Sequence, residues 1–173
     1  MRRLVVFTVL AIGLVVPATA GLAVPATALG VGDGGSNDGT VSVKNGRGRV
    51  TLAPFNGSAV GRVGLGKVFI IDPVFSDGDG VDIWGCNVRH DTDTTTFCRG
   101  DNIRFRAVGG KYTIVVRGRG IFLSAVGRGT LIIDGSGDDP DIETDGLFSI
   151  NGAPYRSLPD VEKTFPIDAP AGG

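Results

Sequence analysis

The residues best equipped for chemistry are arginines set two positions apart: Arg47 and Arg49, Arg104 and Arg106, and Arg117 and Arg119, with Arg128 beyond them. Positions two apart share a face of an extended strand, so each pair sets two guanidinium groups side by side on one surface. The planar guanidinium fork grips carboxylate, sulfate or phosphate oxygens bidentately. The chemistry to expect is capture of an acidic polymer. A plainer use of the same residues is a solvated sheet face. Its arginines would pair with loop carboxylates, cover glycine-rich backbone and blunt strand edges.

Two acidic stretches are the second candidate. Asp77, Asp79 and Asp82 crowd one, and Asp138, Asp139 and Asp141 the other. Carboxylates are hard oxygen ligands of the kind calcium takes. Neither stretch keeps the ligand order of an EF-hand or of the Gly/Asp nonapeptide solenoids. Aspartate and glycine also make ordinary turns, so no cofactor is expected. Two such carboxylates would serve glycoside hydrolysis, which makes a glycan hydrolase the alternative class. His90 stands beside Asp91 and Asp93, and Ser124 has no nucleophile-elbow motif around it, so no catalytic residue is assigned.

Cys86 and Cys98 are the only cysteines. In a chain that leaves the reducing cytosol they are expected to pair. Two cysteines and one histidine are a poor zinc set, and a nucleophilic role needs a free thiolate. Export is read from the N-terminus. Arg2 and Arg3 precede an uncharged apolar run from Leu4 to Val16, followed by Ala18-Thr19-Ala20 and Ala26-Thr27-Ala28. That is the order of a secretory leader over 1–28, with cleavage at Ala20 or Ala28. The run is shorter than the roughly 20 residues of a membrane-spanning helix.

The chain carries 17 Lys and Arg against 18 Asp and Glu, a net charge of −1; loss of Arg2 and Arg3 with the leader would make it −3. Backbone binding of nucleic acid needs excess positive charge, so nucleic acid is not an expected partner. An acidic cell-wall polymer or another envelope protein is.

These side chains need elements to hold them. Residues 29–39 are Gly, Asp, Ser and Asn and read as a linker. From Thr40 to Asp134 the pattern is strand after strand. Thr40 to Lys44 alternates, while Lys67 to Asp72 and Thr130 to Asp134 are short β-branched runs punctuated by Gly and Asp. Ile103–Val108, Gly109-Gly110 and Lys111–Val116 read as a hairpin with a type I′ turn. Ala107 would then oppose Tyr112, and Phe105 would oppose Ile114. Glycine inside the other strands marks bulges, sharp bends or close backbone approach. Trp84 is expected in the core against the disulfide. Residues 151–173, with four prolines, read as a tail without stable elements.

Two near-copies of one Arg/Gly pattern lie about seventy residues apart. Gly46-Arg47-Gly48-Arg49 is echoed by Gly118-Arg119-Gly120, and Ala59-Val60-Gly61-Arg62 by Ala125-Val126-Gly127-Arg128. The later copy, with Gly109-Gly110-Lys111-Tyr112 before it and Ile121-Phe122-Leu123-Ser124 within it, resembles a pattern in small exported proteins of actinobacteria. The resemblance spans Gly46 to about Gly135. It implies an exported protein and brings no catalytic or binding residue with it; the Cys86–Cys98 segment departs from it. The expected fold is one all-β domain over 40–150, an antiparallel sandwich or flattened barrel of about eight strands in two pseudo-equivalent halves. The alternative is a short β-solenoid. The expected function is a non-enzymatic exported or envelope-associated binding module.

Overall fold

The computed structural model describes residues 37–73, 80–137 and 145–168. The leader, most of the linker and five of the six acidic candidates (Asp77, Asp79, Asp138, Asp139 and Asp141) lie outside those residues. Every element among the described residues is a strand: β1 (Gly39–Ile71), β2 (Gly80–Trp84), β3 (Val88–Asp91), β4 (Thr95–Gly135), β5 (Leu147–Ile150), β6 (Arg156–Ser157) and β7 (Lys163–Ile167). They form one antiparallel sheet that does not close into a barrel. No described helix is long and apolar enough to cross a membrane.

Two of these strands dominate, and they coil around each other. Most of β1 pairs with β4 on both of its edges. Ala59 faces Ala107 on one side and Ala125 on the other, and Leu52 faces Ile114 and Leu131. The partners of one residue are therefore seventeen or eighteen positions apart along β4, so the paired ribbon winds back against itself once per interval. Side chains on one face of the ribbon are almost wholly buried, among them Leu52, Val63, Ile103, Ile121, Leu131 and Ile133 at 0% exposure. No described helix covers that face, so the sheet buries it by folding over on itself. The core lies between the two resulting layers.

One layer runs from β2 to β6 by way of the 104–108, 58–62, 122–126 and 41–44 passes of the two long strands. Val81, Ala107, Ala59, Ala125, Val41 and Ile150 cross it as a single inward row. The other runs from β7 through the 129–133, 50–52, 112–116 and 68–71 passes to 96–99 and β3. Its inward row is Phe165, Leu131, Leu52, Ile114 and Ile70.

Glycines mark the two folds that join the layers. They recur every nine residues, at Gly39, Gly48, Gly57 and Gly66 in β1 and at Gly100, Gly109, Gly118 and Gly127 in β4. Pairing lines them up. Gly100, Gly66, Gly118, Gly48 and Gly135 are successive partners across one fold, and Gly110, Gly57, Gly127 and Gly39 across the other. Backbones approach there too closely for side chains. At Gly118 (φ 151°) a Cβ would run into the Leu65 carbonyl and come within 2.8 Å of Gly66 Cα.

Several expectations change. The Gly109-Gly110 hairpin is absent, because β4 runs straight through it. Ala107 pairs with Ala59, Gly110 with Gly57, and Tyr112 with Phe55. The glycine pair sits on a fold, where Gly109 N–H donates to Ser58 Oγ at 2.9 Å. The two Arg/Gly copies do not form separate halves, since Arg47 and Gly48 of one pair with Arg119 and Gly118 of the other. A closed barrel is ruled out. Neighbouring strands run antiparallel, unlike solenoid rungs. The domain also reaches past residue 150: β6 and β7 lie in the expected tail, and Leu158 (3% exposed) and Ile167 (1%) belong to the core.

The disulfide is as expected. Cys86 and Cys98 are bonded with Cα atoms 5.3 Å apart, which pins the β3 hairpin to β4. Trp84 is not beneath it. It is 54% exposed, because it alternates with buried Ile83 and so faces outward. As Trp84 is the sole tryptophan, its fluorescence is expected at the red, water-exposed end of the range and open to acrylamide quenching. A blue-shifted, unquenched emission would contradict that orientation.

Candidate functional site

The first glycine fold is also where cations gather. Outward side chains one position to either side of the glycines form two banks. One bank, read across the strands, is Arg49, Arg117, Lys67 and Arg99. The other is Arg47, Arg119, Leu65 and Asp101. Between them the glycines carry no side chain, so the surface sinks to the backbone. A groove of about 590 Å³ results, lined by Arg47, Gly48, Arg49, Arg117, Gly118 and Arg119, with Asp134 and Asp160 at one end. It continues past Leu65 and Arg117 into a recess of about 700 Å³ that takes in Lys67 and Arg99.

Pairing in register sets like charges against one another. Arg49 faces Arg117, Arg117 faces Lys67, and Lys67 faces Arg99. Directly opposed like charges on a sheet destabilise it. Relief is concentrated at one end of the row. Arg49 bonds Asp134 at 3.1 Å and also Glu162. Among the described residues no ion pair reaches Arg117, Arg119, Lys67 or Arg99. These exposed cations meet water, and an anion entering the groove would lower their mutual repulsion.

Four of the six arginines singled out by spacing, Arg47, Arg49, Arg117 and Arg119, therefore converge. Arg104 and Arg106 do not. They project from the outer face of the layer that begins at β2, where Arg104 lies between Trp84 and Arg62, and Arg106 between Asp82 and Val60. Arg62 stacks on the Phe122 ring there, 4.6 Å from its centroid. Arg128 bonds Asp38 at 3.3 Å. Asp82, the one described acidic candidate, is exposed on β2 opposite Arg106, and no group of three metal-ligating residues occurs among the described residues. His90 and Asp91 lie exposed on β3, and Arg89 bonds Asp91 at 2.7 Å.

Lys67 and Arg99 were not among the residues chosen by spacing, since neither has a basic neighbour two positions away. Their signal was the adjoining glycine: Gly66 before Lys67 and Gly100 after Arg99 belong to the same ladder as Gly48 and Gly118. A separate polar cluster joins Ser42, Lys44 and Tyr155. The Ser42 and Tyr155 hydroxyls are 2.8 Å apart, and Lys44 Nζ stands 3.9 Å from the Tyr155 ring centroid. The bond from Ser42 and the neighbouring Lys44 hold the Tyr155 phenol below its ordinary value of 10.0.

No family model matches the chain, and neither a curated protein nor a solved structure shows significant similarity to it.

Proposed function

We propose that this protein is a non-enzymatic binding module that holds an acidic polymer of the cell envelope in the cation-lined groove along the first glycine fold. The observation that carries the reading is the convergence of Arg47, Arg49, Arg117 and Arg119, joined by Lys67 and Arg99, on one groove where, among the described residues, Arg49 is ion-paired and Arg117, Arg119, Lys67 and Arg99 have no ion pair. A structural role alone does not need cations opposed in register across four strand passes. Export to the envelope accords with the Cys86–Cys98 disulfide, since such bonds persist in oxidising compartments.

Retention on an immobilised carboxylated or sulfated polymer tests the proposal. Arg117→Ala with Arg119→Ala is expected to weaken binding roughly tenfold or more, the effect of losing two charge-assisted contacts. Arg104→Ala with Arg106→Ala, on a different face, leaves it within about twofold. Binding must also fall as salt rises. Retention that ignores salt, or that responds equally to both double variants, would refute the assignment.

A further inference from the structure

The groove has a neighbour that narrows its ligand. Two positions along each strand from the row Arg49, Arg117, Lys67 and Arg99 lies a second outward row: Thr51, Val115, Phe69 and Phe97. All four are half-buried, and Val115, Phe69 and Phe97 make an apolar strip beside the polar Thr51. A recess of about 380 Å³ joins the rows, lined by Arg49, Lys67, Phe69, Phe97, Val115 and Arg117. Cations thus run across four strand passes, with apolar side chains beside them on three.

Adjacent strands lie about 4.8 Å apart, so the four cations span about 14 Å at regular intervals. A single anionic headgroup would occupy one or two of them. A row in register fits a linear ligand that repeats its charge at a similar interval. The apolar row lies about 6.7 Å from the cation row, two residues along the strand. The same ligand must then present apolar faces on one side of its acidic groups. Sugar rings bearing carboxylates do this, since their C–H faces pack on aromatic and aliphatic side chains. A carboxylated polypeptide has the charge without the rings. An acyl chain would not use the row of cations that runs beside the apolar side chains. Single-stranded nucleic acid also combines charge with stacking surfaces. It is disfavoured because bases stack on open aromatic faces, whereas Phe69 and Phe97 are half-buried in a row with Val115 and Thr51.

From the paired rows we infer that the ligand is an acidic polysaccharide of uronate type, laid across the strands along the glycine fold. Its carboxylates meet Arg117, Lys67 and Arg99, next to Arg49 at the end already bonded to Asp134 and Glu162, and its ring faces meet Val115, Phe69 and Phe97. This rests on the groove being an anion site, and the test separates the two ideas.

The test is titration of the intact chain with oligogalacturonates of increasing length, polyglutamate, a neutral glucan and a single-stranded oligonucleotide at one salt concentration. Oligogalacturonate affinity is expected to climb until about one unit stands over each of Arg117, Lys67 and Arg99, then flatten. Phe97→Ala should weaken oligogalacturonate binding severalfold while leaving polyglutamate unchanged, and Lys67→Ala with Arg99→Ala should weaken both. Polyglutamate or the oligonucleotide binding at least as tightly as the longest oligogalacturonate overturns the uronate assignment and leaves an anion groove standing. So does indifference of the uronate to Phe97→Ala in a variant whose melting temperature shows that it is folded. If no polyanion binds, or the neutral glucan binds equally well, both ideas fall.

Discussion

Gly118→Ala is expected to cost about 3 kcal/mol or more, and to lower the melting temperature by roughly 10 °C or more, although it adds a single methyl group. Two effects act together. Gly118 has φ 151°, where an L-residue is strained. Its new Cβ would also press on the Leu65 carbonyl and lie 2.8 Å from Gly66 Cα. Neither obstacle is a flexible side chain that can swing away. Both are backbone of the neighbouring pass, itself tied on its far side to Gly100 and Arg99. Relief would require β1 and β4 to part at the middle of the ladder, breaking pairing in both layers. Gly80→Ala is the control: Gly80 begins β2 with nothing within 4 Å of the added atom and without positive φ. There the change is expected within about 0.5 kcal/mol, or slightly stabilising through the unfolded chain. Thermal or urea unfolding of the two variants settles it, and a Gly118→Ala melt within about 1 kcal/mol of the parent would show that the fold does not depend on bare backbone there.

The alternation that makes this chain all-β was open to reading, because burial on one face of a strand imposes a period of two that no other element mimics. Val41 and Val43, Ile103, Phe105 and Ala107, and Ile114 and Val116 all point inward as alternation requires. The disulfide followed from the spacing of Cys86 and Cys98 and the expectation of export. What local rules misjudged was the meaning of glycine. Gly109-Gly110 between two apolar runs satisfies every local condition for a hairpin. A nine-residue glycine period in β1 and β4 changes the reading, since it sets the length of one traverse between folds. Turn chemistry is local, whereas the pairing of Gly57 with both Gly110 and Gly127 is not, and pairing decides. The same limit applied to the site. Spacing two apart found Arg47 with Arg49 and Arg117 with Arg119, but gave Arg104 with Arg106 equal standing. It takes the fold to put the first two pairs on a glycine ladder and the third on a separate face. Lys67 and Arg99, one basic residue each beside a ladder glycine, could be grouped with them only once the register was known.

The C-terminal segment carries the other large effect. A chain ending at Ser157 is expected to lose cooperative unfolding altogether, despite keeping both long strands. Proline content suggested a loose tail, yet Pro166 sits on β7 opposite Thr130, on a strand at the sheet's edge, where a missing N–H is tolerated. The cut removes β7 from the edge of β4, where Phe165 pairs with Leu131 and Ile167 with Gly129. It also removes Leu158, whose N–H donates to the Gly146 carbonyl at 2.9 Å, and the Pro159 carbonyl that accepts from Gly135 N–H at 2.8 Å. Phe148 loses the Phe165 ring 5.3 Å away, and Arg156, stacked on both rings, loses half its support. Burying Leu158 and Ile167 is worth about 1.5–3 kcal/mol each, and the opened core adds a cavity cost of similar size. Together these approach the roughly 5–15 kcal/mol that holds a whole domain. Phe165→Ala keeps the strand and is expected to cost a more modest 2–3 kcal/mol, whereas Val161→Ser, at a position 65% exposed, should cost under about 0.5 kcal/mol. Circular dichroism melts of the three proteins rank them. A truncated chain with a sharp transition near that of the parent would mean that the two coiled strands suffice, and that β7 merely lies against a core already closed.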